Sequence, residues 1–251
     1  MTGEIVVTLR IERSSLTSLY LFGAWSAAVI AAVYLAELAV VARWGLPPAT
    51  VEGVFAVFAE DRYTGLLRVF AFDVVAATMH LPLFFALFVA LGRERRALVP
   101  MSFALLAALV GLASFYASNT IISMLSLSDQ YAAATTDALR SQLLAAGHAM
   151  LGSFRFDSTG LFVAFDLYAI AGVIACVVMR RSSSFGRRTA WLGIVGNAIQ
   201  LAPPRGVGPT WYFDVVSPLQ IGLGGLVLIA WYASLVVDFR RLRRRVGTSG
   251  E

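Results

Sequence analysis

TGLLRVFAFDVVAATMHLPLFFALFVAL, residues 64–91, decides the class of this protein. At 1.5 Å per residue the run is long enough to cross the roughly 30 Å hydrocarbon layer of a bilayer. Its apolar residues occupy every side of a helix, not one stripe, as expected of a segment surrounded by lipid and other spans. It also carries Arg68, Asp73 and His80. Ionisable groups in such a segment cost about 2.5–3.5 kcal/mol each on insertion scales, so they point to a partner or a function.

Further apolar segments lie to either side, giving six in all: 18–42, 64–91, 99–127, 158–180, 189–203 and 214–237. The fifth is short and ends at Pro203-Pro204, so it is either tilted or breaks before the far surface. The chain has 251 residues, 59% apolar and 14% charged, against about 25% charged in a soluble domain. The expectation is an all-α integral membrane bundle of six transmembrane helices. A tail (1–16) precedes the membrane domain (17–238), and an arginine-rich tail (239–251) follows it. Residues 1–13 lack a cationic head followed by a short apolar run, so the first segment reads as a retained span and not a signal peptide.

All twenty basic residues are arginine. Without lysine, a Schiff base to retinal or PLP and a P-loop are excluded. The lone Cys176 excludes an internal disulfide, a cysteine-rich zinc site and an iron–sulfur cluster, and two histidines exclude a three-histidine metal site. His80 lies mid-span and His148 in a connecting segment, so a shared haem is not expected, and no cofactor is.

Arg93, Arg95, Arg96, Arg180, Arg181, Arg187, Arg188 and the Arg240–Arg245 cluster fall in alternate loops, together with Arg10 and Arg13. The opposite loops hold Arg43, Arg62, Arg140, Arg155 and Arg205. By the positive-inside rule both termini are cytoplasmic. The clusters read as topology and as contacts to anionic lipid on the cytoplasmic side, not as a nucleic-acid surface. Two short extracytoplasmic amphipathic helices are expected. Residues 48–61 place Val51, Val54, Phe55 and Phe58 on one face, and residues 130–151 place Leu139, Leu143, Leu144, Met150 and Leu151 at helical spacing. Glu4 to Glu12 alternate, which fits a short strand or an interfacial segment.

The central run SMLSLSDQYAAATTDALRSQLLAAGHAML, from Ser123 to Leu151, resembles the bacterial membrane family called domain of unknown function 4386. In that family a span ends in a similar Ser/Leu stretch, followed by a YAAAT-type segment and an LLAAG-type helix. The order of apolar segments from Thr17 to Arg245 is compatible. The resemblance implies a six-helix bacterial protein of the cytoplasmic membrane. It carries over no catalytic or binding residue, since the family's function is itself unassigned, and members carry an acidic residue where this chain has His148.

The intramembrane polar groups share a level. Glu37, Arg68, Asp73 and Asp166 fall roughly 6–14 Å below the outer surface. Asn119, Asn197, Gln200 and Gln220 fall in the same layer, while the inner half holds little besides His80. Two readings stand. In one, Glu37 pairs with Arg68 and amides close the gaps between helices. In the other, Asp73, Asp166, Asn119, Gln200 and Gln220 line a polar chamber open to the outside. Three carboxylates face one arginine, an imbalance that a proton, a cation or a cationic ligand would resolve, so a small polar or cationic ligand is the expected partner. Asp73 and His80 are two turns apart on one face, which suits either a proton path or a histidine bonded to a backbone carbonyl. The functions that follow are ligand binding or ion conduction, a non-catalytic accessory role, or an intramembrane enzyme acting on lipid. Phe-Asp recurs at Phe72-Asp73, Phe156-Asp157, Phe165-Asp166 and Phe213-Asp214, which would mark three related helical hairpins if the bundle arose by duplication. Trp44, Trp191 and Trp211 lie near span ends as an aromatic belt, whereas Trp25 and Trp231 read as packing residues.

Overall fold

The computed structural model describes residues 13–69, 71–92, 95–154, 159–201 and 220–248. Residues 1–12, Arg93, Arg155, Phe156-Asp157, Pro203-Pro204, Arg205, Trp211 and Phe213-Asp214 lie outside them, as does the side chain of Gln220. Among the described residues the chain is all-helical, without a strand. The helices are α1 (Arg13–Trp44), α2 (Val51–Glu60), α3 (Arg62–Val69), α4 (Ala71–Leu91), α5 (Arg95–Ser118), α6 (Ile121–Ala133), α7 (Asp137–Phe154), α8 (Thr159–Met179) and α9 (Arg187–Gln200). A π-helical turn, Gln220–Gly224, then leads into α10 (Gly225–Thr248). Four stretches are long and apolar enough to cross a membrane: Ser14–Trp44, Ala71–Leu91, Arg96–Ala133 and Gly222–Gly247. α8 has the apolar shorter stretch Val163–Met179, and α9 has only 14 residues.

The packing order closes a ring. α1 lies against α4 and α10, α4 against α5, α5 against α8, α8 against α9, and α9 against α10. Neighbours run antiparallel. Ring contacts join Tyr20 to Phe239 and Tyr34 to Tyr232 between α1 and α10, and Phe115 to Phe165 between α5 and α8. The alternation brings the starts of α1, α5 and α9 and the end of α10 to one end of the ring, with Arg96, Arg180, Arg181, Arg187, Arg188 and the Arg240–Arg245 run. Small residues set the close approaches. A Cβ on Gly23 would lie 2.7 Å from Ala86, one on Gly193 would run into Cys176 Sγ, and one on Gly224 would lie 2.8 Å from Gln200 Nε2. Gly222 and Gly225 meet nothing within 4 Å, so the close contact in this stretch rests on Gly224 alone.

At the opposite end the connections fold into a cap of α2, α3, α6 and α7. α2 buries Val51, Val54, Phe55 and Phe58, the four residues its spacing puts on one face. Thr50 accepts from Gly53 N at 3.1 Å and starts the helix. Phe55 packs on Tyr131 with the rings tilted and 5.4 Å apart, and its carbonyl accepts from Ser128 Oγ at 3.2 Å. Arg62 and Asp129 form an ion pair across the cap. Asp61 starts α3 by accepting from the Thr64 hydroxyl and from Tyr63 N, and these bonds hold its exposed carboxyl below the usual range.

The structure differs from the sequence reading at two boundaries. The third apolar segment is two helices with a break at Asn119-Thr120, where Asn119 Oδ1 accepts from Ile121 N at 3.2 Å. The helix expected over 130–151 is divided at 134–136 into the end of α6 and all of α7. Thr136 accepts from Leu139 N at 3.2 Å, starting a new helix where the pattern alone suggested continuity.

The cap makes a local test of this packing. A Cβ on Gly147 would sit 2.5 Å from Val51 Cγ1, whereas one on Gly152 meets nothing within 4 Å. Gly147→Leu is expected to lower stability by about 1–3 kcal/mol and to speed hydrogen exchange in α2. Gly152→Ala in the same helix is expected to raise it by roughly 0.5–1 kcal/mol through helix propensity. Thermal unfolding in detergent checks both.

Candidate functional site

His80 is where the ring helices meet. It sits on α4, is only 4% exposed, and has both ring nitrogens engaged. Nδ1 lies 2.6 Å from Ala76 O, one turn back, and Nε2 lies 2.8 Å from the Tyr232 hydroxyl on α10. Tyr168 of α8 stacks on the imidazole at 4.5 Å and donates its hydroxyl to Ala77 O at 3.3 Å. Phe84 and Tyr232 complete the ring contacts. The sequence alternative of a histidine bonded to a carbonyl on its own helix thus describes one nitrogen, and the other is taken by a tyrosine.

From Tyr232 the polar chain continues toward the cap end. Tyr34 of α1 meets Tyr232 edge-on at 5.8 Å. One turn further along α1 comes Glu37, and across the α1–α4 interface Asp73. Glu37 and Asp73 thus stand on the packed helices α1 and α4, at the same end of the ring as Tyr34. Glu37 and Asp73 are half-buried, whereas Tyr168 is 4% and Tyr232 1% exposed. The cluster therefore runs from a partly open acidic pair to a sealed centre.

Hydrogen-bond valence gives this chain a direction. A backbone carbonyl only accepts, so in the neutral imidazole Nδ1 carries the proton and Nε2 accepts from the Tyr232 hydroxyl. Tyr232 has then used its one donor and has lone pairs left for Tyr34. Tyr34 in turn has lone pairs left for a protonated carboxyl of Glu37 or Asp73. Donors follow one another from Tyr232 through His80 to Ala76 O. Beyond His80, toward the arginine end, Leu83, Phe84, Leu87, Leu235 and Phe239 are at most 1% exposed and apolar. Ser26 lies in this zone, but its hydroxyl is spent on Phe22 O at 2.9 Å.

The remaining predicted residues go elsewhere. Arg68 does not pair with Glu37. Its Nη2 donates to Trp44 O at 3.0 Å, at the end of α1, where a cation suits the helix dipole and Gly45 at φ 78° turns the chain away. Its Nε is buried without a hydrogen-bond partner. Asn119 caps α6 as described. Asn197 donates to Gly193 O at 2.8 Å and packs on Gly172, where a Cβ would overlap its amide. Gln200 packs on Gly224. Asp166 precedes Tyr168 by two positions, about 200° around α8 from a ring that faces the centre, so it does not share that face. The described amides thus seal helix contacts, and Glu37, Asp73 and His80 of the expected set remain on the packed helices α1 and α4.

Tyr34, Tyr168 and Tyr232 were missed because tyrosine in a membrane sequence is read first as an interfacial residue. Their signal was depth: each lies well inside its helix, away from both ends. Asp238 was also missed. It is 4% exposed near the arginine end, and it accepts from Gly186 N at 3.1 Å and Thr189 Oγ1 at 2.6 Å. It thereby caps α9 from a neighbouring helix, and Arg241 approaches it at 3.4 Å. Trp231 is fully buried as expected of a packing residue, but Trp25 is 63% exposed.

Comparison with protein-family models, with curated proteins and with solved structures finds no match for this chain.

The histidine–tyrosine contact is directly testable. Tyr232→Phe leaves a buried Nε2 without its donor and is expected to cost about 1–2 kcal/mol of stability. His80→Phe in that background is expected to add less than it does alone, because the shared bond is already lost. A double-mutant cycle on thermal unfolding in detergent reads the coupling.

Proposed function

We propose that this chain is a multi-pass protein of the bacterial cytoplasmic membrane. Six segments span it, α8 and α9 included, both termini are cytoplasmic, and the cap is extracytoplasmic. The gathering of arginines at one end of the ring supports that orientation. The resemblance of Ser123–Leu151 to domain of unknown function 4386 supports the bacterial setting.

In this reading the protein binds a proton or a small cation at the Glu37–Asp73 pair, reached from the outer half of the bilayer. The observation that carries it is two half-buried carboxyls on packed helices whose expected counter-ion, Arg68, is turned to Trp44 O. Two like charges in that setting strongly disfavour joint ionisation, so the pair favours holding a proton or attracting a cation. The Tyr34–Tyr232–His80 chain then reports the state of the pair to the centre of the ring, where four helices meet. The apolar zone below His80 favours binding over conduction, because a proton wire needs continuous hydrogen-bonding groups and this one stops. An accessory role without chemistry is the competing reading. A lipid-modifying reaction at His80 gains no support, since both its nitrogens are occupied and its ring is covered.

Infrared difference spectroscopy of the protein in bilayers, titrated from acid to alkaline pH, separates these readings. The expected result is a protonated-carboxyl band that is lost in Asp73→Asn, altered in Glu37→Gln and displaced in Tyr34→Phe. If all three variants keep the wild-type band and differ only in melting temperature, the polar cluster merely holds helices together.

A further inference from the structure

At the arginine end a groove of about 560 Å³ runs along the outside of the ring between α1 and α10. Its walls change character along its length. α10 contributes Arg240, Arg243 and Arg244, at the surface level marked by Thr17 near the start of α1. Deeper along α1 the lining becomes Leu21, Trp25 and Ala28. Thr17 to Ala28 spans roughly 16 Å of helix, so the apolar part extends well into the level of acyl chains. Trp25 is 63% exposed in a helix interior, where it forms one side of the groove and does not pack into the core.

Two of the three groove arginines carry charge that no carboxylate among the described residues takes up. Asp238, the buried carboxylate on α10, faces Gly186, Thr189 and Arg241, on the side of α10 that meets α9. Among the described residues Arg240 and Arg243 form no ion pair. A positive-inside bias explains arginines at this end of the ring, but it does not explain an apolar cleft continuing beneath two of them.

We propose that this groove binds an anionic phospholipid of the adjoining leaflet. Arg240 and Arg243 hold the phosphate, and the glycerol and one acyl chain lie along Leu21, Trp25 and Ala28. Guanidinium suits a phosphate geometrically, and its placement at head-group level above an apolar slot matches the polarity gradient of a lipid. The site lies outside the ring, apart from the acidic pair, so it stands or falls independently of the function proposed above.

Native mass spectrometry of the full-length protein in mild detergent tests this, with phosphatidylglycerol and phosphatidylethanolamine added in parallel. Wild type is expected to hold phosphatidylglycerol at least tenfold more tightly. Arg240→Ala/Arg243→Ala is expected to lose about tenfold or more of that preference. Arg187→Ala/Arg188→Ala removes the same charge at the same end outside the groove and is expected to keep it. Ala28→Phe, which fills the apolar part and leaves every charge in place, is expected to weaken retention severalfold, and millimolar inorganic phosphate is expected not to displace the lipid. Equal losses from the two arginine pairs would reduce the effect to bulk charge and overturn the proposal. So would full retention in Ala28→Phe, or displacement by phosphate alone. Binding that emerges only after deletion of residues 2–11 would give the groove to the N-terminal segment instead.

Discussion

A polar side chain in the middle of a bilayer has no water to fall back on, so each of its donors and acceptors must find a partner within the protein. His80 imposes that requirement most severely, because an imidazole has two polar edges that point in different directions. One edge is met on its own helix by Ala76 O, but the other must come from a different helix, and it comes from Tyr232. With Tyr168 covering a ring face, α4, α8 and α10 are tied at one point. The closure of the six-helix ring depends on that point more than on any apolar contact, since lipid tails satisfy leucine and phenylalanine as well as protein does.

The acidic pair belongs to the same arrangement. Tyr34 packs edge-on against Tyr232 and lies one turn from Glu37 on α1, which brings the half-buried acidic end beside the sealed centre. The apolar layer of Leu83, Phe84 and Leu87 closes the chain on the other side. The cap stands over the opposite end of α1, held by Gly147, Phe55 and the Arg62–Asp129 ion pair, and it leaves the carboxyls partly exposed.

Much of the fold was legible in the sequence because its cause is local. Apolar runs of the right length give helices, and the spacing of Val51, Val54, Phe55 and Phe58 gives the buried face of α2. The helix breaks at Asn119 and at 134–136 were not legible, because caps there are made by single side chains within an otherwise continuous pattern. Of the candidate site, Glu37, Asp73 and His80 could be found from charge at depth. Which of them meet could not, since that is set by the rotation of each helix about its axis, and apolar residues on every side leave rotation undetermined. The same indeterminacy explains the error over Arg68. Its level matched Glu37, but its direction is toward the end of α1. The tyrosines carry no charge in the sequence count, yet they are the links.

The hydrogen bonds that run from Tyr232 through His80 to Ala76 O require one particular tautomer of the imidazole. Nitrogen-15 resonance of labelled histidine in bilayers measures it directly, with His148→Gln leaving His80 as the only signal. The account predicts a protonated Nδ1 and an unprotonated Nε2 whose shift moves in Tyr232→Phe. A proton on Nε2, or an Nε2 signal indifferent to the loss of the Tyr232 hydroxyl, would contradict it.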